Sequence, residues 1–181
     1  MRIQRPEPNE YPALFHFAVA VVPDADDFGE FLREQARETA QFLTEQFGET
    51  GASVRYAPDK WTVREVIGHL SDVERIMSYR ALRFARGDAT ALPGFDENAY
   101  VPAANFERRT MKSVLDEFLG VRSATVGLVD GLTDEFVARW GTMSAGPATV
   151  RALLYNIVGH EIHHRRLLRE RYLPLVPAVA R

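Results

Sequence analysis

The sequence GDATALPGFDENAYVPAANFERR at 87–109 separates two stretches that each read as a long amphipathic helix. Connections longer than about 12–15 residues with no structure of their own are uncommon inside a compact domain. Fully extended, this one reaches about 75 Å, against about 37 Å for a helix of about 25 residues. The two helices it joins therefore need not be antiparallel. Four helical segments account for most of the chain. The first, about 25–47, carries Phe28, Phe31, Leu32, Phe42, Leu43 and Phe47 and is stopped by Gly48. The second opens with the capping-box pattern Thr62-x-x-Glu65 and runs to about Arg86, with Val66, Ile67, Leu70, Val73, Met77 and Phe84 as its core face. The third runs from near Thr110 to about Asp130 through Val114, Leu115, Phe118, Leu119, Val121 and Leu128. The last is expected to open near Pro147, a residue favoured in a first turn, and to reach about Tyr172 through Leu153, Leu154, Ile157, Leu167 and Leu168.

Three of the five histidines sit where such helices would carry them inward. His160 and His164 are four residues apart, hence on one helix face with Cβ atoms about 5–6 Å apart. That is close enough for both to reach one ion at about 2.0–2.1 Å. His69 lies about 10 Å after the start of the second segment, and the pair lies about 12–18 Å before the end of the last. The three are level only if those two helices are antiparallel. An up-down-up-down bundle makes them parallel; up-down-down-up, with the crossover at 87–109, brings the histidines together. The expected fold is thus an all-α four-helix bundle of that second topology, in a single domain spanning 1–181. On spacing alone, His160 and His164 are equally readable as core positions on the stripe of Leu153, Ile157 and Leu168. Three neutral imidazoles with an open position would suit zinc, nickel or ferrous iron. Affinity for the ion is then expected to fall as the pH drops below about 6.5.

Composition narrows the function classes. With no cysteine, the chain offers no disulfide, thiolate ligand or thiol nucleophile. A net charge of −3 supplies no basic field for nucleic acid or an anionic membrane. No run approaches the 18 or more apolar residues of a membrane span. The apolar stretch 13–22 has the length of a signal-peptide core, but Pro6, Glu7, Pro8, Glu10 and Pro12 precede it instead of a basic region. Residues 1–23 read better as an irregular strap over the bundle, in a cytoplasmic protein acting on a small molecule, with a homodimer compatible.

KWTVREVIGHLSDVERIMSYRALRFARGD, LPGFDENAYVPAANF and GHEIHHRRLLRERYL together resemble the DinB/YfiT-like metalloenzyme family. The resemblance covers most of the chain and implies the same crossover topology. It places His69, His160 and His164 at the metal-ligand positions, with His163 the extra histidine often found beside the second of the pair. It also implies thiol-dependent transferases and an isomerase that use small thiols such as bacillithiol or mycothiol. A chain without cysteine would receive its thiol from such a cosubstrate. Metal-dependent hydrolysis is the second enzymatic reading, and a non-catalytic metal-binding stress-response module the third. Asp72, at helical spacing from His69, is a candidate to orient its free ring N–H. The crossover segment 93–109 is expected to form part of the pocket wall, with Tyr100, Asn105 and Phe106 as candidates, although Phe106 reads better as packing of the loop onto the bundle. Arg75, Arg80, Arg83 and Arg86 read as a solvated face or an anchor for an acidic substrate. Arg165, Arg166, Arg169 and Arg171 suit the helix dipole without any ligand.

Overall fold

A computed structural model describes residues 1–177. Its main helices are α1 (Phe28–Gln46), α2 (Val63–Ala85), α3 (Glu97–Ala104), α4 (Met111–Asp130) and α5 (Val150–Leu167). Most are started by a side-chain cap, which satisfies backbone donors that have no partner within the helix. Asp27 accepts from Glu30 N–H at α1, Thr110 from Ser113 N–H at α4 and Thr149 from Ala152 N–H at α5. At α2 the Thr62–Glu65 capping box forms in both directions.

α1, α2, α4 and α5 make the bundle. Val63, Val66, Ile67 and Leu70 at the start of α2 share one apolar cluster with Met111, Val114 and Leu115 at the start of α4 and with Leu168 just beyond α5. Met77, Ala81 and Phe84 near the end of α2 share the other with Val126 and Val129 of α4 and with Val150, Leu153 and Leu154 at the start of α5. Hence α2 and α4 are parallel and α5 runs against them. Gln35 Nε2 donates to Val158 O at 3.0 Å, and Arg165 donates to Glu38 at 3.0 Å, so α1 and α5 are parallel. The order is up-down-down-up, with the crossover between α2 and α4.

Between the two clusters lies a charged layer. Arg122 of α4 is 2% exposed and donates to Glu74 Oε1 and Oε2 of α2 at 2.8 and 2.9 Å. It also donates to Glu161 Oε2 of α5 at 2.5 Å and to Leu32 O and Gln35 Oε1 of α1 at 3.1 and 3.2 Å. Thr39 of α1 completes the set by donating to Glu161 Oε1 at 2.5 Å. All four bundle helices meet at this guanidinium.

The crossover is less irregular than its composition suggests, since it contains α3, ended by Asn105 in the left-handed conformation (φ 53°). The start of the last helix also differs from expectation. Pro147 lies in a β-hairpin, β1 (Trp140–Met143) paired antiparallel with β2 (Gly146–Thr149), and α5 begins only after Thr149. A two-stranded ribbon is all edge, so a residue without N–H is tolerated there, and Thr149 caps better than proline. The crossover is stitched to this hairpin by Leu92 N–H to Thr142 O at 2.9 Å and Ser144 N–H to Leu92 O at 3.0 Å.

The strap 1–23 is bound to the bundle. Ile3, Phe15, Ala18, Val19 and Val22 are buried, Tyr155 donates to Ile3 O at 2.9 Å, and Arg151 Nε donates to Glu10 at 2.6 Å. The close approach depends on Gly159, where a Cβ would stand 2.0 Å from Ala18 O.

Arg122→Met leaves Glu74 and Glu161 buried without their cation, and is expected to cost about 3–5 kcal/mol in urea unfolding. Replacing all three by Leu, Met and Leu should recover most of that loss, because a matched apolar set has no charge to desolvate.

Candidate metal centre

α2 and α5 position the three imidazoles. His69 follows Gly68, whose missing side chain admits the Phe106 ring; a Cβ there would lie 2.3 Å from it. The Trp61 ring covers His69 with centroids 4.6 Å apart. His160 Nε2 stands 3.2 Å from His69 Nε2 and 3.1 Å from His164 Nε2. A tetrahedral ion with Nε2 ligands at about 2.05 Å would hold them about 3.3 Å apart, and an octahedral one slightly closer. Both separations from His160 are therefore already those of a coordination sphere, the three ligand atoms all lie within 4.8 Å of one another, and these histidines could hold a metal ion.

Protein hydrogen bonding accounts for this convergence poorly. A single N–H on His160 Nε2 can serve only one of its two neighbours, whereas a cation serves all three. His164 Nδ1 is buried with no hydrogen-bond partner among the described residues, which leaves Nε2 as that ring's polar engagement. Burial pushes His69 down to about 4 and His164 down to about 3. Burial, followed by the neighbouring imidazoles, pushes His160 well below its ordinary value. All three are neutral donors well into mild acid, so the window expected from free imidazole is displaced downward.

His69 and His160 open onto a cavity of about 330 Å³. Its walls come from the strap (Phe15, Phe17), α2 (Val73, Met77, Arg80), the crossover (Gly94, Phe95, Glu97), the hairpin turn (Ser144, Ala145) and α5 (Asn156). A larger and more open groove of about 690 Å³ between α2 and α4, beside Tyr79 and Leu82, contains none of the three histidines.

The other candidates separate clearly. His163 is exposed beside His164, 5.2 Å between ring centroids, with Phe17 5.1 Å away on its edge. Asp72 lies within 3.5 Å of Arg75 and makes no hydrogen bond to an imidazole among the described residues, because its side of α2 faces the Arg75–Glu117–Arg109 ion pairs. The crossover does reach the cavity, but through Gly94, Phe95 and Glu97. Tyr100 is 45% exposed and stacks on Phe95 at 5.6 Å, while Asn105 is spent on the left-handed turn and bonds Ala103 O at 3.3 Å. Neither is in the cavity wall. Phe106 is buried in the core, as its packing role requires.

Among the α2 arginines, Arg75 and Arg83 are paired with Glu117 and Asp88, and Arg80 alone turns into the cavity. Arg165 and Arg166 are paired with Glu38 and Glu170, and Arg169 lies over the Phe42 ring. Asn156 was not singled out from sequence; its position one turn before His160, on the same face, was the available signal.

Helices crossing in this order around a histidine-lined cavity define a class, and the chain belongs to it: the DinB superfamily model matches residues 32–168. Among solved structures, the fold is similar to that of YfiT from Bacillus subtilis, with a TM-score of 0.70 and 18% identity over 84% of this chain and 90% of that one. YfiT is described as "a probable metal-dependent hydrolase with an unusual four-helix bundle topology". No curated protein sequence matches the chain. No helix among the described residues is long and apolar enough to cross a membrane.

The depressed imidazole values set a pH dependence for the metal-free protein. Below about 6.5 the unfolded chain takes up protons that the folded imidazoles refuse until about 4 and 3. Stability contributed by these residues is therefore complete above 6.5 and is lost as the pH falls through that window. Urea midpoints measured from pH 7.5 to 4 should decline, and His69→Phe should flatten the decline.

Proposed function

We propose that His69, His160 and His164 together hold one divalent ion, zinc, nickel or ferrous iron, and that the protein is an enzyme acting on a small molecule in the adjoining cavity. The observation that carries this is the position of His160 Nε2, 3.1–3.2 Å from two other imidazole nitrogens and beside an open cavity. A purely structural ion would be enclosed, whereas two of these three rings line a space that a ligand can enter. When bound, the ion would supply Lewis-acid stabilisation of an anionic nucleophile, lowering the pKa of a thiol or a water.

Transfer or addition of a small thiol is the reaction this environment supports best. Phe15, Phe17, Met77 and Phe95 give the cavity apolar walls that suit an electrophile with an apolar body. No carboxylate hydrogen-bonds to the three imidazoles among the described residues, so no general base stands ready at the centre. A thiol activated as its thiolate needs none. Its sulfur forms the new bond to the electrophilic carbon, a leaving group departs with the electrons of the bond that breaks, and the thiol proton passes to solvent. Since the chain has no cysteine, the thiol arrives as a cosubstrate of the bacillithiol or mycothiol type. Glu97 favours a second reading, metal-dependent hydrolysis. It is an exposed carboxylate in the same cavity wall, a group of the type that relays a proton in hydrolysis, and hydrolysis is also what the description of YfiT names.

Two measurements test the proposal. Metal content after His→Ala substitution at each position should fall below a tenth of wild type; full occupancy in any two variants would reject the ligand set. The metal-loaded protein should then consume a small thiol in the presence of an electrophile such as monochlorobimane. Turnover of esters or amides without thiol consumption would put hydrolysis in its place.

A further inference from the structure

Arg80 is a buried cation with no carboxylate partner among the described residues. It is 5% exposed and forms no ion pair among the described residues. Its contacts are the Pro93 carbonyl at 2.7 Å, the sulfurs of Met77 and Met143 at 3.7 and 3.6 Å, and the face of Phe95 at 5.7 Å. Thioethers are weak acceptors, so most of the five guanidinium donors are poorly served. Burial alone lowers its pKa. The neighbouring arginines of α2 are paired and lie outside the cavity. A desolvated, unpaired charge is costly, and this one faces the space beside the metal centre.

A second polar group faces the same space. Asn156 is 4% exposed, lines the cavity, and its side-chain amide makes no hydrogen bond among the described residues. The amide is not sealed from solvent, so it is free to bond whatever occupies the cavity. On α2, His69, Val73, Met77 and Arg80 follow one another at spacings of four, four and three along one face. On α5, Asn156 lies one turn from His160. The cavity therefore runs from the imidazoles past Asn156 to the guanidinium, about three helical turns along α2, with apolar walls between.

We propose that Arg80 and Asn156 are specificity-determining residues that select an elongated, apolar-bodied monocarboxylate. Its carboxylate pairs with Arg80 at one end of the cavity, Asn156 hydrogen-bonds its middle, and its reacting group is presented at the histidines. A guanidinium fits a carboxylate with two parallel hydrogen bonds. A single arginine among aromatic and thioether walls suits one negative charge on an apolar body, and Glu97 in the same wall disfavours further anionic groups. This deepens the enzymatic reading given above and rests on it for the reacting end only. Carboxylate recognition itself needs neither metal nor turnover.

The test is binding of hexanoate and of hexanamide, its uncharged counterpart, to the metal-free full-length protein at pH 8, where the imidazoles are neutral. Protein-observed 15N NMR gives the affinities and follows the Arg80 Nε–H signal. Hexanoate should bind at least about tenfold more tightly than hexanamide, the difference expected for loss of a charge-assisted pair, and should shift the Arg80 signal. Arg80→Met should erase the preference for the acid, Arg80→Lys should restore part of it, and Asn156→Leu should weaken hexanoate severalfold. Arg75→Gln, outside the cavity, should change nothing. Equal affinity for acid and amide on the wild-type protein would overturn the proposal even if Arg80→Met failed to fold, as would undiminished hexanoate binding by a folded Arg80→Met. Loss of thiol or ester turnover with this preference intact would strike the enzymatic reading and leave carboxylate recognition standing.

Discussion

The guanidinium of Arg122 is bonded to Glu74 on α2, to Glu161 on α5 and to Leu32 and Gln35 on α1, while its own backbone belongs to α4. An apolar core tolerates sliding by a turn, since one leucine can replace another in a groove; a buried cation facing two carboxylates cannot slide without leaving charge unpaired. The knot therefore fixes the heights of all four helices. Glu161 immediately follows His160 in sequence and Glu74 lies five residues beyond His69. The same bonds that register α2 against α5 set His69 Nε2 3.2 Å from His160 Nε2, while the four-residue spacing within α5 sets the 3.1 Å from His160 to His164.

The cavity depends on a different set of contacts. Its walls are contributed by five parts of the chain, and those outside the bundle are tied down individually. Glu10 is held by Thr149 and Arg151, Ala18 rests on Gly159, and Leu92 is stitched to the hairpin. These ties place Phe15, Phe17 and Phe95 in the wall of the cavity that His69 and His160 also line, producing a largely apolar chamber. Few charged groups interrupt it, which is why Arg80 and Asn156, which among the described residues have no carboxylate partner and no side-chain hydrogen bond respectively, carry information about a ligand. The arginines nearest to Arg80 on α2 are paired, Arg75 with Glu117 and Arg83 with Asp88.

Much of this was readable from the sequence because helix periodicity and histidine height are local arithmetic. Thr62-x-x-Glu65 gave the start of α2 and Thr110 the start of α4. The requirement that His69 meet His160 and His164 selected the crossover topology. Pro147 misled because a first-turn proline and an edge-strand proline have the same local chemistry, and only pairing with Thr142 distinguishes them. Tyr100 and Asn105 have suitable side chains at the correct end of the crossover. The formation of α3 turned one outward and used the other as a left-handed cap, so the wall fell to residues a few positions earlier. The buried layer at Arg122 left no signal in periodicity, since an arginine on a core face reads as an interruption until its two carboxylate partners on other helices are known. Asp72 erred similarly: its spacing from His69 was right for one helix, but Arg75 and Glu117 lay closer to hand.

The central claim is that three imidazoles, and no other side chains, form the first coordination sphere of one divalent ion. X-ray absorption at the metal edge, on protein loaded with one equivalent of zinc at pH 7.5, measures this directly. The account predicts three imidazole nitrogens at about 2.0–2.1 Å, with any remaining ligand a light atom from solvent. One or two imidazoles, or a spectrum fitted by carboxylate oxygens in their place, would contradict it.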